Sequence, residues 1–161
     1  MKGFLITVSV AALFFLACNK IDEYDKRPKI FDGSYSSMKD ASGRDSSIIL
    51  KFTFTDGDGN VGLTQRDTVP PYDRNLLIDY YEKQNGQFTK ILFPESTDTL
   101  NFYYRIKQIG NGQMTKGEVE VSINVSFIAA DTIRFDYYIL DRDLNRSNTI
   151  STGPIVLSAP H

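Results

Sequence analysis

Ile48-Ile49-Leu50-Lys51-Phe52-Thr53-Phe54-Thr55 runs straight into Asp56-Gly57-Asp58-Gly59-Asn60-Val61-Gly62. In the first half Ile48, Leu50, Phe52 and Phe54 fall on one phase of a two-residue period, with Lys51, Thr53 and Thr55 on the other. Successive side chains of a strand point to opposite faces, so this pattern predicts a central, half-buried strand over 48–55 and no helix. The second half ends that strand in a loop of carboxylates and glycines.

The same alternation recurs outward from this stretch. Toward the C-terminus, Leu76, Ile78 and Tyr80 alternate with Leu77, Asp79 and Tyr81, and Asn85-Gly86 then signals a hairpin, because both central positions of its turn need positive φ. Further strands are expected over 88–93, 100–109, 119–127, 132–140 and 147–157, the last interrupted by Gly153-Pro154. In 119–127 the inward set is Val119, Val121, Ile123, Val125 and Phe127; in 132–140 it is Ile133, Phe135, Tyr137 and Ile139. Toward the N-terminus a short edge strand is expected over 29–36, behind Pro28, followed by a polar loop over 37–46. Val61–Leu63 has room for a brief pairing, whereas Pro70-Pro71 removes two adjacent donors and bars 66–74 from any helix or inner strand. About eight short strands with turn chemistry between them predict an all-β chain: a single immunoglobulin-like antiparallel β-sandwich over 29–161. A closed barrel is the competing architecture; Pro28 and Pro154 near the two ends favour open edges.

A chain of 161 residues with a net charge of −2 suits one domain. Its lysines and arginines are scattered, which leaves no footprint for a phosphate backbone, so nucleic acid is not an expected partner. The one histidine is His161 and the one cysteine is Cys18. A Ser-His-Asp triad and a Cys/His zinc site are therefore excluded.

Positions 4–17 are apolar apart from Thr7 and Ser9, too short for a membrane-spanning helix of about 20 residues but suited to a secretory signal. The run closes on Leu16-Ala17-Cys18, which resembles the lipobox of bacterial lipoproteins, although Phe15 stands where leucine is usual and Lys2 alone forms the basic region. The alternative is an ordinary cleaved leader, but the run has no A-x-A ending, and a lone exported cysteine has no intrachain partner. On the lipoprotein reading 1–17 is the signal peptide, Cys18 carries the lipid that anchors the chain to a membrane, and 18–28 is a polar tether. Asp22, Glu23 and Asp25 faintly resemble an acidic export tag; a charged spacer explains them equally well.

These features combine with Asp56-Gly-Asp58-Gly-Asn60-Val-Gly62, Leu77-Ile-Asp-Tyr-Tyr-Glu82, Asp131-Thr-Ile-Arg-Phe-Asp136 and the run 141–148. Together they resemble small Gram-negative lipoproteins with an immunoglobulin-like or fibronectin-III-like domain. The resemblance spans nearly the whole chain. It implies the sandwich fold and an envelope location, lipid-anchored in the outer membrane and facing the periplasm or the exterior. It implies no activity, catalytic residue or ligand.

Two candidate sites stand out. Asp56, Asp58 and Asn60 occupy positions one, three and five of a D-x-D-x-N pattern, which can turn oxygens toward one hard cation such as Ca2+. The match to an EF-hand fails at position six, Val61, and at position twelve, Asp67, and a strand leads in instead of a helix. Asp, Gly and Asn also serve simply as turn residues that tolerate positive φ. If the strands over 48–55 and 132–140 run the same way, as second and sixth strands of such a sandwich, then Asp141, Asp143 and Asn145 emerge at the same pole. Arg142 and Arg146 are then an alternative source of positive charge.

The second candidate is aromatic. The pairs Tyr80-Tyr81, Tyr103-Tyr104 and Tyr137-Tyr138 each place one ring on each face of a strand, with Tyr81, Tyr103 and Tyr138 outward. Neighbouring strands would gather these rings into a patch for a glycan or an envelope protein, unless they serve only cross-strand packing. The overall expectation is a non-catalytic binding or structural module. The alternative is a carboxylate-based glycan-active enzyme or its accessory subunit.

Overall fold

In the computed structural model the described residues are 24–91, 101–108 and 113–158. The leader, Cys18, the first part of the tether, the loop over 94–99, the turn at 110–112 and His161 lie outside them.

The opening alternation forms β2 (Asp45–Asp56), in which Ile48, Leu50, Phe52 and Phe54 are all buried. Burying each such side chain contributes roughly 1.5–3 kcal/mol, so this strand alone anchors one wall of the core. It lies between β1 (Lys29–Lys39) and β6 (Thr115–Asn124), antiparallel to both, in a three-stranded sheet. The second sheet is built on β3 (Leu76–Gln84) and β7 (Thr132–Ile139), also antiparallel. Two short strands, β4 (Gln87–Lys90) and β5 (Asn101–Tyr104), share the outer edge of β3. Two more, β8 (Ile150–Ser151) and β9 (Ile155–Val156), share the outer edge of β7 on either side of Gly153-Pro154. The result is an open, immunoglobulin-like antiparallel β-sandwich with nine strands among the described residues.

Phe52 of the first sheet meets Tyr137 of the second with ring centroids 5.2 Å apart, and Tyr80, Phe102 and Phe135 continue the aromatic layer. Polar links close the two sides. The Asn148 side chain accepts from the Ile30 amide and donates to the Ile30 carbonyl, both at 2.9 Å, imitating a strand partner for β1. On the opposite side Tyr104 Oη donates to the Ser122 carbonyl at 2.8 Å.

The Asn85-Gly86 hairpin forms as expected, with φ of 50° and 83°. Several boundaries differ: β2 starts at Asp45, inside the loop expected over 37–46, β4 stops at Lys90 and β5 at Tyr104, short of the strands expected over 88–93 and 100–109, and 147–157 holds only the two short pieces β8 and β9. β1 runs on to Lys39 past an irregularity between Phe31 and Ser34, because main-chain pairing with β2 sustains it where its own pattern is weak. Phe127, expected inward, is 60% exposed: β6 ends at Asn124, a turn follows, and Ile128 enters the core instead. Residues 24–28, expected as tether, lie against the body, with Pro28 buried and the Asp25 carbonyl accepting from the Gly57 amide at 2.8 Å.

Candidate functional site at the acidic pole

The two-residue period of β2 continues one step beyond its apolar set, and that step is Asp56. It therefore points where Phe54 points, inward, and is 0% exposed. Its Oδ2 accepts from the Val61 amide at 2.9 Å, which folds 57–60 into a tight loop and sends Val61 back into the core. The loop turns at Gly59 (φ 69°), and no other residue fits there, since a Cβ would stand 1.9 Å from the Gln113 carbonyl oxygen.

The second acidic turn arrives at the same pole, as the parallel course of β2 and β7 requires. Asn60 Nδ2 donates to Asp143 Oδ2 at 3.0 Å, and the Arg142 amide donates to the Asn60 carbonyl at 3.2 Å. Inside that turn Asp141 is buried and closed on its neighbour: Oδ1 accepts from the Asn145 amide at 2.7 Å and Oδ2 from Asn145 Nδ2 at 2.8 Å. Asp141 and Asn145 are thus engaged with each other, and Asp143 with Asn60. They form a brace that holds Asn60. The arginine alternative forms no ion pair: Arg146 stacks on Tyr138, the Nε of Arg142 is buried at this pole without a hydrogen-bond partner, and no ion pair among the described residues includes Asp56 or Asp58.

Three oxygens in this loop are buried without a donor: Asp56 Oδ1, Asp58 Oδ1 and Asn60 Oδ1. Burial, and next to it the charge of Asp58, push the Asp56 carboxyl up to about 6, against the pull of the Val61 amide. Among the described residues no group of three or more His, Cys, Asp or Glu side chains is placed for a metal; this loop offers two carboxylates and one amide oxygen.

A pH prediction follows from Asp56. In the folded chain its proton is held to about pH 6, whereas the unfolded chain releases it near 3.8, so the folded state binds more protons between these values. The contribution of Asp56 to the stability of metal-free protein should therefore fall as pH rises from about 4 to about 6, against the opposite trend of Asp40, Asp45, Asp67 and Asp73, whose carboxyls sit below the ordinary value, and Asp56→Asn should remove that fall in pH-dependent thermal unfolding.

One member of the pole has no signal in the sequence. Asn75, just before β3, is buried, donates from Nδ2 to the Val61 carbonyl at 2.5 Å and to the Ile106 carbonyl at 3.3 Å, and accepts from the Ile106 amide at 2.7 Å. Its own main chain bonds Tyr104 and Leu140. Through it the 61–63 segment, which makes only an isolated bridge to Lys107, is tied to one end of the second sheet, where the start of β3 lies between the ends of β5 and β7.

The tyrosines lie where their parity places them, on the outer face of the second sheet. Leu77 pairs with Tyr103 on one side and Tyr138 on the other, so the two rings flank it in one row; Tyr81 and Arg134 pair two rows away. Tyr103 is 55% exposed. The patch is not bare, however: Arg74 lies over Tyr103 at 4.2 Å, Arg134 over Tyr81 at 4.2 Å, and Arg146 over Tyr138 at 3.6 Å. The row between them holds the partners Asp79 and Asp136, bonded to Lys90 and Arg134 respectively, each at 2.9 Å. No protein-family model, curated protein or solved structure matches the chain.

Proposed function

We propose that this chain is a lipid-anchored envelope protein, held at the outer membrane through Cys18, whose sandwich serves as a non-catalytic binding or structural module. The observation that carries the binding half is the tyrosine and arginine face of the second sheet, with its carboxylates between the rings. Aromatic faces stack on sugar rings, while guanidinium and carboxylate groups bond hydroxyls or peptide groups, so a glycan or an envelope protein suits this surface. The anchoring half rests on the apolar leader ending in Leu16-Ala17-Cys18.

The enzymatic alternative has two carboxyl pairs to draw on: Asp56 beside Asp58, where Asp56 keeps its proton to about pH 6 but has no solvent exposure with which to meet a substrate, and the facing pair Asp79 and Asp136 on the sheet. Glycoside hydrolysis needs one carboxyl that keeps its proton beside a second that is ionised. In the second pair each carboxylate already has a cationic partner, and the pair stands on a sheet face instead of in a cleft, which favours binding over hydrolysis.

The test uses the full-length chain in a Gram-negative host. Cys18→Ser should abolish palmitate labelling and release the protein from the membrane fraction. Combined replacement of Tyr81, Tyr103 and Tyr138 by serine should leave labelling intact and lower the melting temperature by only a few degrees, since exposed cation–π pairs contribute about 0.5–1 kcal/mol each. The same variant should lose the envelope components retained by the unaltered protein. Labelling of the Cys18 variant would overturn the anchoring half; undiminished retention by the tyrosine variant would overturn the binding half.

A further inference from the structure

We propose that Asp56, Asp58 and Asn60 hold one calcium ion at the pole of the sandwich. Three side-chain oxygens of one five-residue loop are buried without any donor, and one of them belongs to a carboxylate with no solvent exposure at all. A buried acceptor left unmatched costs about 1–3 kcal/mol, more when it is charged, and here two of the three sit on neighbouring carboxylates. No lysine or arginine among the described residues forms an ion pair with them; Arg142, whose amide bonds the Asn60 carbonyl, keeps its own Nε buried without a hydrogen-bond partner. Lys107 lines the same small cavity as Asp56 without pairing with it.

The departures from an EF-hand become intelligible on this geometry. The turn that a glycine makes at position six of that motif is made here at Gly59, and Val61 instead fastens the loop through its amide and its buried side chain. Asp67, at position twelve, is occupied in its own turn with the Thr64 amide at 2.6 Å and supplies no ligand. Asn60 donates its Nδ2 to Asp143, which leaves Oδ1 as the atom available to a cation. Carboxylate and amide oxygens are hard donors; calcium takes about 6–8 oxygens in flexible geometry, with water or main-chain carbonyls completing the shell, whereas magnesium demands a stricter octahedron. A bound divalent ion relieves the repulsion between the two carboxylates and the burial of Asp56 together.

The experiment is a calcium titration of the full-length chain stripped with chelator at pH 7.5, followed by calorimetry and thermal unfolding. One equivalent should bind, and calcium at about 100 times Kd should raise Tm by on the order of 10 °C. Asp58→Asn should lose at least tenfold in affinity while still unfolding cooperatively in chelator, and Asp56→Asn should behave alike if it folds. Absence of both heat and a Tm shift in the unaltered chain would overturn the site, as would a full response from the Asp58 variant. An equal shift from magnesium at equal concentration would overturn the assignment to calcium. None of these readouts depends on the anchor or on the tyrosine face.

Discussion

Phe52→Ala is expected to lower stability by about 3–5 kcal/mol, measured as a fall in the denaturant midpoint with an unchanged m-value. Phe52 is fully buried in β2 and touches Tyr137 of the opposite sheet, so truncation loses transfer energy and leaves a cavity between two sheets that cannot close on it. The sheets are held apart by their own side chains on both flanks, Leu50 and Phe54 beside it and Phe135 and Ile139 across from it, all buried. Small domains are stable by only about 5–15 kcal/mol, so this single change consumes a large share of the total. A loss under 1 kcal/mol would show that the two sheets do not meet through this residue.

Asn75→Ala comes next, at about 2–4 kcal/mol, and acts on the site as well as the fold. The substitution strands the Val61 carbonyl and the Ile106 amide in a place water does not easily reach, while the Ile106 carbonyl keeps the Leu63 amide at 2.9 Å; each orphaned group costs about 1–3 kcal/mol before relaxation. Because the Val61 amide is what shapes the Asp56 loop, loosening Val61 should also blunt the calcium response. Amide hydrogen exchange at Leu63 and Ile106 reads the local effect: both should exchange faster in the variant, and unchanged protection would contradict the bracing role. A buried asparagine that replaces backbone pairing in this way is costly to remove for the same reason that it specifies one arrangement of the pole.

Much of the sandwich was legible because its strands alternate cleanly. Ile48 to Phe54, Leu76 to Tyr80 and Ile133 to Ile139 each declare a face, and parity alone sent Tyr81, Tyr103 and Tyr138 outward. Weakly patterned chain was less readable. β1 extends beyond its own signal because a neighbour supplies its hydrogen bonds, and Phe127 left the core because the strand before it ended three residues earlier than its hydrophobic pattern. At the acidic pole the D-x-D-x-N spacing was visible, but the roles of its parts were not. Asp141 and Asn145 carry the same letters as Asp56 and Asn60, yet they close on each other, and Asn75 looks like any residue before a strand.

By itself the sequence determined the class of fold, the strand-to-loop break at Asp56 and the outward parity of the tyrosines, since all three depend on neighbours along the chain and on the period of two. Only the tertiary structure decided which acidic residues keep free oxygens, which arginines lie over which rings, and that Asn75 holds the pole together. The most distant of those partners, Asp143 for Asn60, Val61 for Asn75 and Tyr103 for Arg74, are more than ten residues away, and their approach is set by sheet packing and by the requirement that buried polar groups find a partner.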